Sequence, residues 1–163
     1  MRFLRYPDYC LTDFIELMRP EILAYLQSQH IGVLAVEMLD GSPHGATVHF
    51  AYTESPLQFF FETHREYRKT EALFGRETSR ATFVIGADEQ HKVTFQLDGN
   101  VRLLTPEEQH QVQDVYLNRF PDKTEKSQEA RVVFFTFLPN WWRFSDWTRP
   151  EGKLILTSEE RVS

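Results

Sequence analysis

Four side chains that bind anions well lie close together near the middle of the chain. His64, Arg65, Arg68 and Lys69 fall within six residues, in a protein of 163 residues whose formal net charge is -6. Arginine presents a planar fork of donors and lysine a compact positive charge, and both recognise phosphate. The cluster therefore indicates a phosphate-binding site.

The cluster coincides with the predicted start of a helix over residues 65–75, directly after an apolar strand over residues 57–63. The first turn of a helix has free N–H groups and the positive end of a dipole, so it favours anions. An alternative also fits the sequence. The basic side chains can be the solvated face of a surface helix, paired with Glu66 and Glu71.

The surrounding sequence is rich in short strands. Further strands are predicted over residues 31–38, 45–52, 81–86, 92–104 and 131–138, with residues 141–147 continuing as strand or turn. Helices are predicted over residues 20–30 and from the capping box at Thr105 to about residue 120. Chains of this kind usually close their sheet into a barrel. The predicted fold is mainly β with α (α+β), an antiparallel split barrel of six to seven strands with flanking helices.

Local signals place several turns. Asp40-Gly41 is typical of a β-hairpin, Gly75 is a candidate helix C-cap, and Gly99 is a candidate β-bulge. Residues 131–138 are apolar on both faces, which predicts that a helix or a second subunit covers the outer face.

Composition limits the class of protein. The length predicts one domain over residues 1–163, with a core at about 20–150, an irregular N-terminal lead-in and a C-terminal tail. The acidic balance argues against nucleic acid or a membrane as partner. A single cysteine excludes an internal disulfide, and the N-terminus lacks a signal-peptide pattern, so we expect a cytoplasmic protein. His44 and His49 would face opposite ways on a strand, so no metal site is expected.

The order of these features resembles a known family. A helix and a hairpin are followed by the strands ATVHFAY and FFFET, the helix YRKTEAL, the strand VTFQLDGNVRLL and the TPEE helix. This series is similar to the pyridoxamine 5'-phosphate oxidase-like FMN-binding split barrels. In that family an apolar strand ends in Thr, and a Lys follows six residues later. Thr63 and Lys69 keep this spacing, and Arg68 precedes the lysine.

The resemblance implies a set of FMN contacts. Arg68 and Lys69 would hold the phosphate, with help from the Thr63 hydroxyl. The strand that begins ATVH would run along the isoalloxazine ring and give it backbone hydrogen bonds. Its residues are Ala46, Thr47, Val48 and His49.

Some positions depart from the family pattern. Ala46 and Ala51 stand where the oxidases have Arg and Lys, and Thr94 stands where they have a Gln that contacts FMN. The C-terminal Arg/His element that holds pyridoxal phosphate has no match. We therefore expect the fold and the cofactor without oxidation of vitamin B6. Trp142 either packs in the core or borders the flavin ring.

The resemblance also implies a homodimer with FMN between the subunits, and residues 131–138 with Trp141 and Trp142 fit such an interface. The expected activity is that of an FMN-dependent oxidoreductase with a small-molecule electron donor or acceptor. Two alternatives remain open. The barrel can hold a deazaflavin or a haem, with His49 or His64 as axial ligand, or it can be a cofactor-free binding or stress-response module.

Overall fold

The computed structural model of the protein describes residues 19–86, 90 and 92–158. The predicted lead-in lies outside these residues. The helices are α1 (Pro20–Ser28), α2 (Arg68–Gly75) and α3 (Pro106–Arg119), with short 3₁₀ turns at Pro121–Lys123 and Lys126–Gln128. The strands are β1 (Ile31–Glu37), β2 (Pro43–His49), β3 (Ala51–Glu54), β4 (Leu57–His64), β5 (Ser79–Ile85), β6 (Val93–Leu103), β7 (Val132–Asp146) and β8 (Leu154–Thr157).

The strands form one antiparallel sheet of eight strands in the order β2-β1-β5-β6-β7-β4-β3, with β8 beside β7. The sheet curls around a core of fully buried side chains, among them Leu34, Phe59, Phe83 and Phe135. The prediction of a split barrel that is mainly β with α is confirmed. Within the described part of the chain, no helix is long and apolar enough to span a bilayer.

Helix α3 covers the outer face of β4 and of the first half of β7. Its Tyr116 is fully buried and packs edge-on to Phe134 with ring centroids 5.5 Å apart. The predicted capping box starts this helix: the Thr105 hydroxyl accepts from the Glu108 N–H at 3.3 Å, and the Glu108 carboxylate accepts from the Thr105 N–H at 2.8 Å. Of the two predicted possibilities, a helix or a second subunit, it is thus a helix that covers the outer face of residues 131–138.

This arrangement bears on the residues predicted to form a dimer surface. The outer face of residues 131–138 is buried beneath α3, and Trp142 is 3% exposed inside the barrel against Phe95, whereas Trp141 is half-buried. The homodimer itself stays a prediction. A sequence read strand by strand does not show which helix returns to cover which face.

Two predicted strand boundaries were wrong. Residues 45–52 form two strands that separate at Phe50, whose N–H bonds to the His30 carbonyl at 3.1 Å. The reason is that β2 pairs with β1 whereas β3 pairs with β4. Residues 131–138 and 141–147 instead lie on the single strand β7, and its pairing with β6 shifts at Gly99, which confirms the predicted bulge.

The helix after β4 is shorter than predicted. It begins at Arg68, because residues 65–67 form a turn. Gly75 is the last helical residue rather than the cap, and Arg76 follows in extended conformation. A Cβ on Gly75 would lie 2.8 Å from the end of the Leu39 side chain, which is 58% exposed and free to move aside. The Asp40-Gly41 hairpin is confirmed, with Gly41 at φ +82°.

Candidate functional site

The turn between β4 and α2 leaves the start of the helix open to a ligand. Tyr67 is the N-cap residue and its side chain makes no capping hydrogen bond. The hydroxyl of Thr70 instead holds the turn, donating towards the Arg65 and Tyr67 carbonyl oxygens at 2.8 and 2.5 Å. Thr70 is completely buried. The amides of the first turn are therefore fixed in place without a side chain covering them, which suits an anion.

Two buried polar atoms at the end of β4 lack a partner. Thr63 is 6% exposed and His64 8%, and neither the Thr63 Oγ1 nor the His64 Nε2 has a hydrogen-bond partner in the described structure. Their side chains point to opposite faces of the strand. A buried polar group without a partner costs roughly 1–3 kcal/mol, so each of these atoms calls for a partner such as a water, an ion or a bound ligand.

The basic side chains of the cluster carry no ion pairs. Among the described residues, no carboxylate lies within salt-bridge distance of Arg65, Arg68 or Lys69. Glu66 and Glu71 therefore do not form the ion pairs of the surface-helix alternative, whereas Arg65 and Arg68 are solvent-exposed, as that alternative expects. The positive charges of Arg65, Arg68 and Lys69 therefore stay available to a ligand.

Lys69 is held in a specific environment. Its Nζ lies over the Tyr67 ring, 4.6 Å from the centroid, and the same ring packs against His64 at 5.1 Å. Partial burial lowers the pKa of the Lys69 ammonium below its ordinary value. The cation is thus partly stripped of water, which strengthens its attraction to an anion.

Strand β2 adds a free backbone edge. It lies at one end of the strand order, and among the strands of the described chain it pairs with β1 alone. Val48 points into the core at 5% exposure, whereas Thr47 and His49 are exposed and Ala46 is half-buried. Helix α2 packs against β1 and β2, and β2 also approaches β4. The predicted ring-binding strand and the phosphate cluster therefore belong to neighbouring elements.

His49 has a neighbour that the sequence did not indicate. Its imidazole packs edge-on to Phe120 at 5.4 Å, beside the Lys123 ammonium that lies over the same ring at 4.7 Å. Burial, followed by the charge of Lys123, lowers the pKa of His49. A neutral imidazole that packs on an aromatic ring fits a packing role at the end of β2.

Two further predicted contacts, Thr94 and Trp142, lie on other strands of the same chain. Thr63 pairs with Val133 near one end of β7, and Thr94 pairs with Ser145 near the other. Val133 and Ser145 are separated by roughly 40 Å of strand at about 3.3 Å per residue, and the curl of the sheet makes the direct distance shorter than that. Trp142 lies near the Thr94 end and is enclosed in the core.

The residues at the end of β4 and the start of α2 fit a phosphate group. An unpartnered hydroxyl, unpaired cations and an uncapped helix start are donors of the kind that phosphate requires. Sequence reasoning missed Thr70 and Tyr67. The signal for Thr70 is its position three residues after the N-cap, from which a threonine hydroxyl can bond back to the turn. The stacking of Lys69 on Tyr67 depends on side-chain packing and has no such signal.

The fold is that of a split-barrel protein, with a cluster of cationic side chains at a helix start near an edge strand. The family model for pyridoxamine 5'-phosphate oxidase matches residues 18–146, and the chain belongs to this family. No curated protein is significantly similar to it in sequence.

Solved structures share the fold at low sequence identity. A Listeria innocua protein assigned to pyridoxamine 5'-phosphate oxidase is 22% identical with a TM-score of 0.61, over 76% of this chain and 94% of that one. HutZ, a haem storage protein of Vibrio cholerae, is 18% identical with a TM-score of 0.65, over 76% and 90%. A Clostridium acetobutylicum relative of general stress protein 26 is 14% identical with a TM-score of 0.59, over 83% and 91%.

Proposed function

We propose that the protein is a cytoplasmic, homodimeric FMN-binding oxidoreductase. The observation that carries the proposal is the unpartnered, buried Thr63 hydroxyl next to a helix start whose cations have no ion pairs. Membership of the pyridoxamine 5'-phosphate oxidase family supports a flavin as the group that brings the phosphate.

Each element of the site has a separate role. Arg68 and Lys69 bind the phosphate, the Thr63 hydroxyl donates to it, and Thr70 holds the turn that positions these donors. The free edge of β2 binds the polar edge of the ring through its backbone. When bound, FMN accepts electrons from a small organic donor and passes them to an acceptor, and the protein supplies orientation and tuning.

The dimer follows from the incomplete site. Thr63 and Thr94 of one chain lie beside opposite ends of β7, so we assign the Thr94 contact to a second subunit. The outer face of β1 carries Ile31 at 47% and Val33 at 40% exposure, next to each other on an open part of the sheet. A second copy placed on this face covers these side chains and brings its own Thr94 towards the flavin.

The direct test is the visible spectrum of the purified protein before and after addition of FMN and desalting. We expect a flavin spectrum that survives desalting. The double variant Arg68→Ala with Lys69→Ala should bind FMN much more weakly, with each lost charge-assisted bond costing roughly 1.5–3 kcal/mol. Riboflavin affinity should change little, because riboflavin lacks the phosphate.

A matched double variant separates this effect from general loss of charge. Arg80→Ala with Lys126→Ala removes two positive charges from exposed positions elsewhere, and it should bind FMN like the wild type. Equal losses of FMN and riboflavin affinity in the Arg68/Lys69 variant would contradict a phosphate role. A protein that never retains flavin would leave the deazaflavin and cofactor-free alternatives.

Haem is a second candidate, favoured by one observation. The His64 Nε2 is buried and has no hydrogen-bond partner, as a nitrogen free to coordinate iron would be. The neighbouring cations suit the haem propionates, and one structure with this fold belongs to a haem storage protein. Titration with haemin, compared between the wild type and His64→Ala, tests this candidate. A Soret band that shifts in the variant supports haem bound through His64, and an identical spectrum in the two proteins contradicts His64 as the axial ligand.

A further inference from the structure

Arg143 is a guanidinium without a counterion on the outer face of the sheet. It lies on β7, half-buried, between the inward-facing Trp142 and Phe144. Its Nε is buried without a hydrogen-bond partner, and none of the described carboxylates pairs with it. Arginines elsewhere on this molecule, such as Arg80 with Glu37 and Arg102 with Glu108, do have carboxylate partners.

A register row connects Arg143 with the predicted ring-binding strand. Arg143 pairs with Gln96, Gln96 with Val84, Val84 with Val33, and Val33 with Thr47. All five side chains face outward. We call the surface that these five residues form the open face. Four strand spacings of about 4.8 Å put Arg143 roughly 19 Å from Thr47 within one chain.

The ring-binding strand lacks positive charge of its own. Strand β2 contains no Arg or Lys, and Ala46 stands within it. Ala51, the other alanine that replaces a family cation, lies on β3 and is 1% exposed. A flavin ring gains negative charge on reduction, so a cation near its electron-rich edge favours the reduced form. A cation from outside the strand is needed if this chain tunes its flavin in that way.

A second copy on the open face satisfies this need. In a twofold-symmetric interface every contact occurs twice. If one residue of the first subunit contacts a second residue of its partner, the partner's copy of the one contacts the first subunit's copy of the other. Arg143 and Thr47 lie in one row of the open face, so two copies packed through this face bring Arg143 of each towards β2 of the other. The apolar Val33 and Val84 lie between them as the buried centre.

We infer that Arg143 of one subunit completes the flavin site of the other and binds the electron-rich edge of the isoalloxazine ring. The inference rests on the proposed function, and it assigns Arg143 to the ring rather than to the phosphate. It predicts that Arg143 affects riboflavin and FMN equally, in contrast to Arg68 and Lys69.

The first test compares Arg143→Gln and Arg143→Lys with Arg80→Gln as matched control. Arg143→Gln should weaken FMN and riboflavin by the same factor, about tenfold or more for a lost charge-assisted bond. It should also lower the midpoint potential of the bound flavin, by about 30 mV for each tenfold preference for the reduced form that is lost. Arg143→Lys should keep most of the potential. An Arg143→Gln protein that matches Arg80→Gln in affinity and potential would overturn the inference.

The second test asks whether Arg143 acts across the interface. Subunits with Arg68→Ala and Lys69→Ala are co-expressed with Arg143→Gln subunits under two affinity tags, and the mixed dimer is purified over both. If Arg143 serves the partner's site, the mixed dimer holds one intact site and binds one FMN per dimer with wild-type affinity. If it binds none with that affinity, the inference is wrong.

The outcomes also separate the inference from the proposed function. A wild-type protein that retains no flavin overturns both. The inference alone is wrong if the wild type retains flavin but Arg143→Gln matches Arg80→Gln in affinity and potential. The same holds if the wild type retains flavin but the mixed dimer has no site of wild-type affinity. Melting temperatures close to that of Arg80→Gln show that the Arg143 variants are folded.

Discussion

Thr63 and Thr94 lie at opposite ends of the strand that separates their own two strands. Thr63 pairs with Val133 and Thr94 with Ser145, and both partners belong to β7. In the proposed site both threonines contact one FMN, with Thr63 from one subunit and Thr94 from the other. We therefore expect cofactor binding to depend on assembly.

Val33→Asp should therefore prevent both dimerisation and flavin retention. Val33 is 40% exposed in the centre of the open face, and a carboxylate buried there without a partner costs several kcal/mol. We expect a weakening of the dimer by about a thousandfold or more, since every 1.4 kcal/mol is tenfold. Sedimentation equilibrium measures it, with desalted absorption spectra of the same samples.

Asn118→Asp is the control for this prediction, because it adds the same charge on the exposed side of α3. It should leave the sedimentation of the protein unchanged. A Val33→Asp protein that sediments like the wild type would show that the open face is not the interface.

Thr70→Val should loosen the phosphate turn. Valine keeps the shape of the buried side chain but loses the hydroxyl that bonds to the Arg65 and Tyr67 carbonyls. The expected loss is roughly 1–3 kcal/mol of unfolding free energy, with a larger fall in affinity for FMN than for riboflavin. Denaturant unfolding and flavin titration measure the two effects. Thr70→Ser, which keeps the hydroxyl, should recover both, and a Thr70→Val protein with wild-type FMN affinity would remove Thr70 from the site.

Glu108→Gln should destabilise the protein in a pH-dependent way. The Glu108 carboxylate is 7% exposed and accepts two hydrogen bonds from Arg102, both at 2.8 Å. The Arg102 hydrogen bonds hold the pKa of Glu108 below its ordinary value of 4.5. A lowered pKa stabilises the fold above the unfolded-state value, and the stabilisation is lost as the pH falls through the folded-state value.

The difference in unfolding free energy between wild type and Glu108→Gln should thus be about 3 kcal/mol at neutral pH and shrink below about pH 4.5. Glutamine still completes the capping box, so the comparison isolates the charge. Glu107→Gln, one residue earlier and exposed, should change little at any pH. A difference that persists undiminished into acid would contradict the ion-pair explanation.

Lys69→Met should stabilise the unliganded protein while it weakens FMN binding. Burial lowers the pKa of Lys69, so the charged form is less favourable in the folded state than in the unfolded state. Removing the charge should raise the melting temperature on the order of 1–2 °C, a small effect because the ammonium is only partly desolvated. The wild type should gain the same stability as the pH rises through the lowered pKa. A lower melting temperature in Lys69→Met would indicate that the contact with Tyr67 outweighs the desolvation.

Three local signals in the sequence were confirmed, whereas the predicted C-cap at Gly75 was wrong. Asp40-Gly41 forms the predicted hairpin, Thr105 and Glu108 form the predicted capping box, and the pairing shifts at Gly99 as predicted. Each depends on residues a few positions apart. A Cβ on Gly99 would lie 2.0 Å from the Leu138 carbonyl oxygen, so this glycine also records a close approach from the next strand.

The sequence alone determined the antiparallel barrel elements and the cationic cluster at Arg68 and Lys69, because alternation, turn residues and helix-start chemistry act over short stretches of chain. Only the tertiary structure decided that Trp142 is enclosed, that Thr63 and Thr94 lie beside opposite ends of β7, and that Arg143 faces outward with no carboxylate partner among the described residues. These facts depend on which strands pair, where α3 packs and where the sheet curls. Such long-range choices are settled by the burial of the whole core, which no short window of sequence contains.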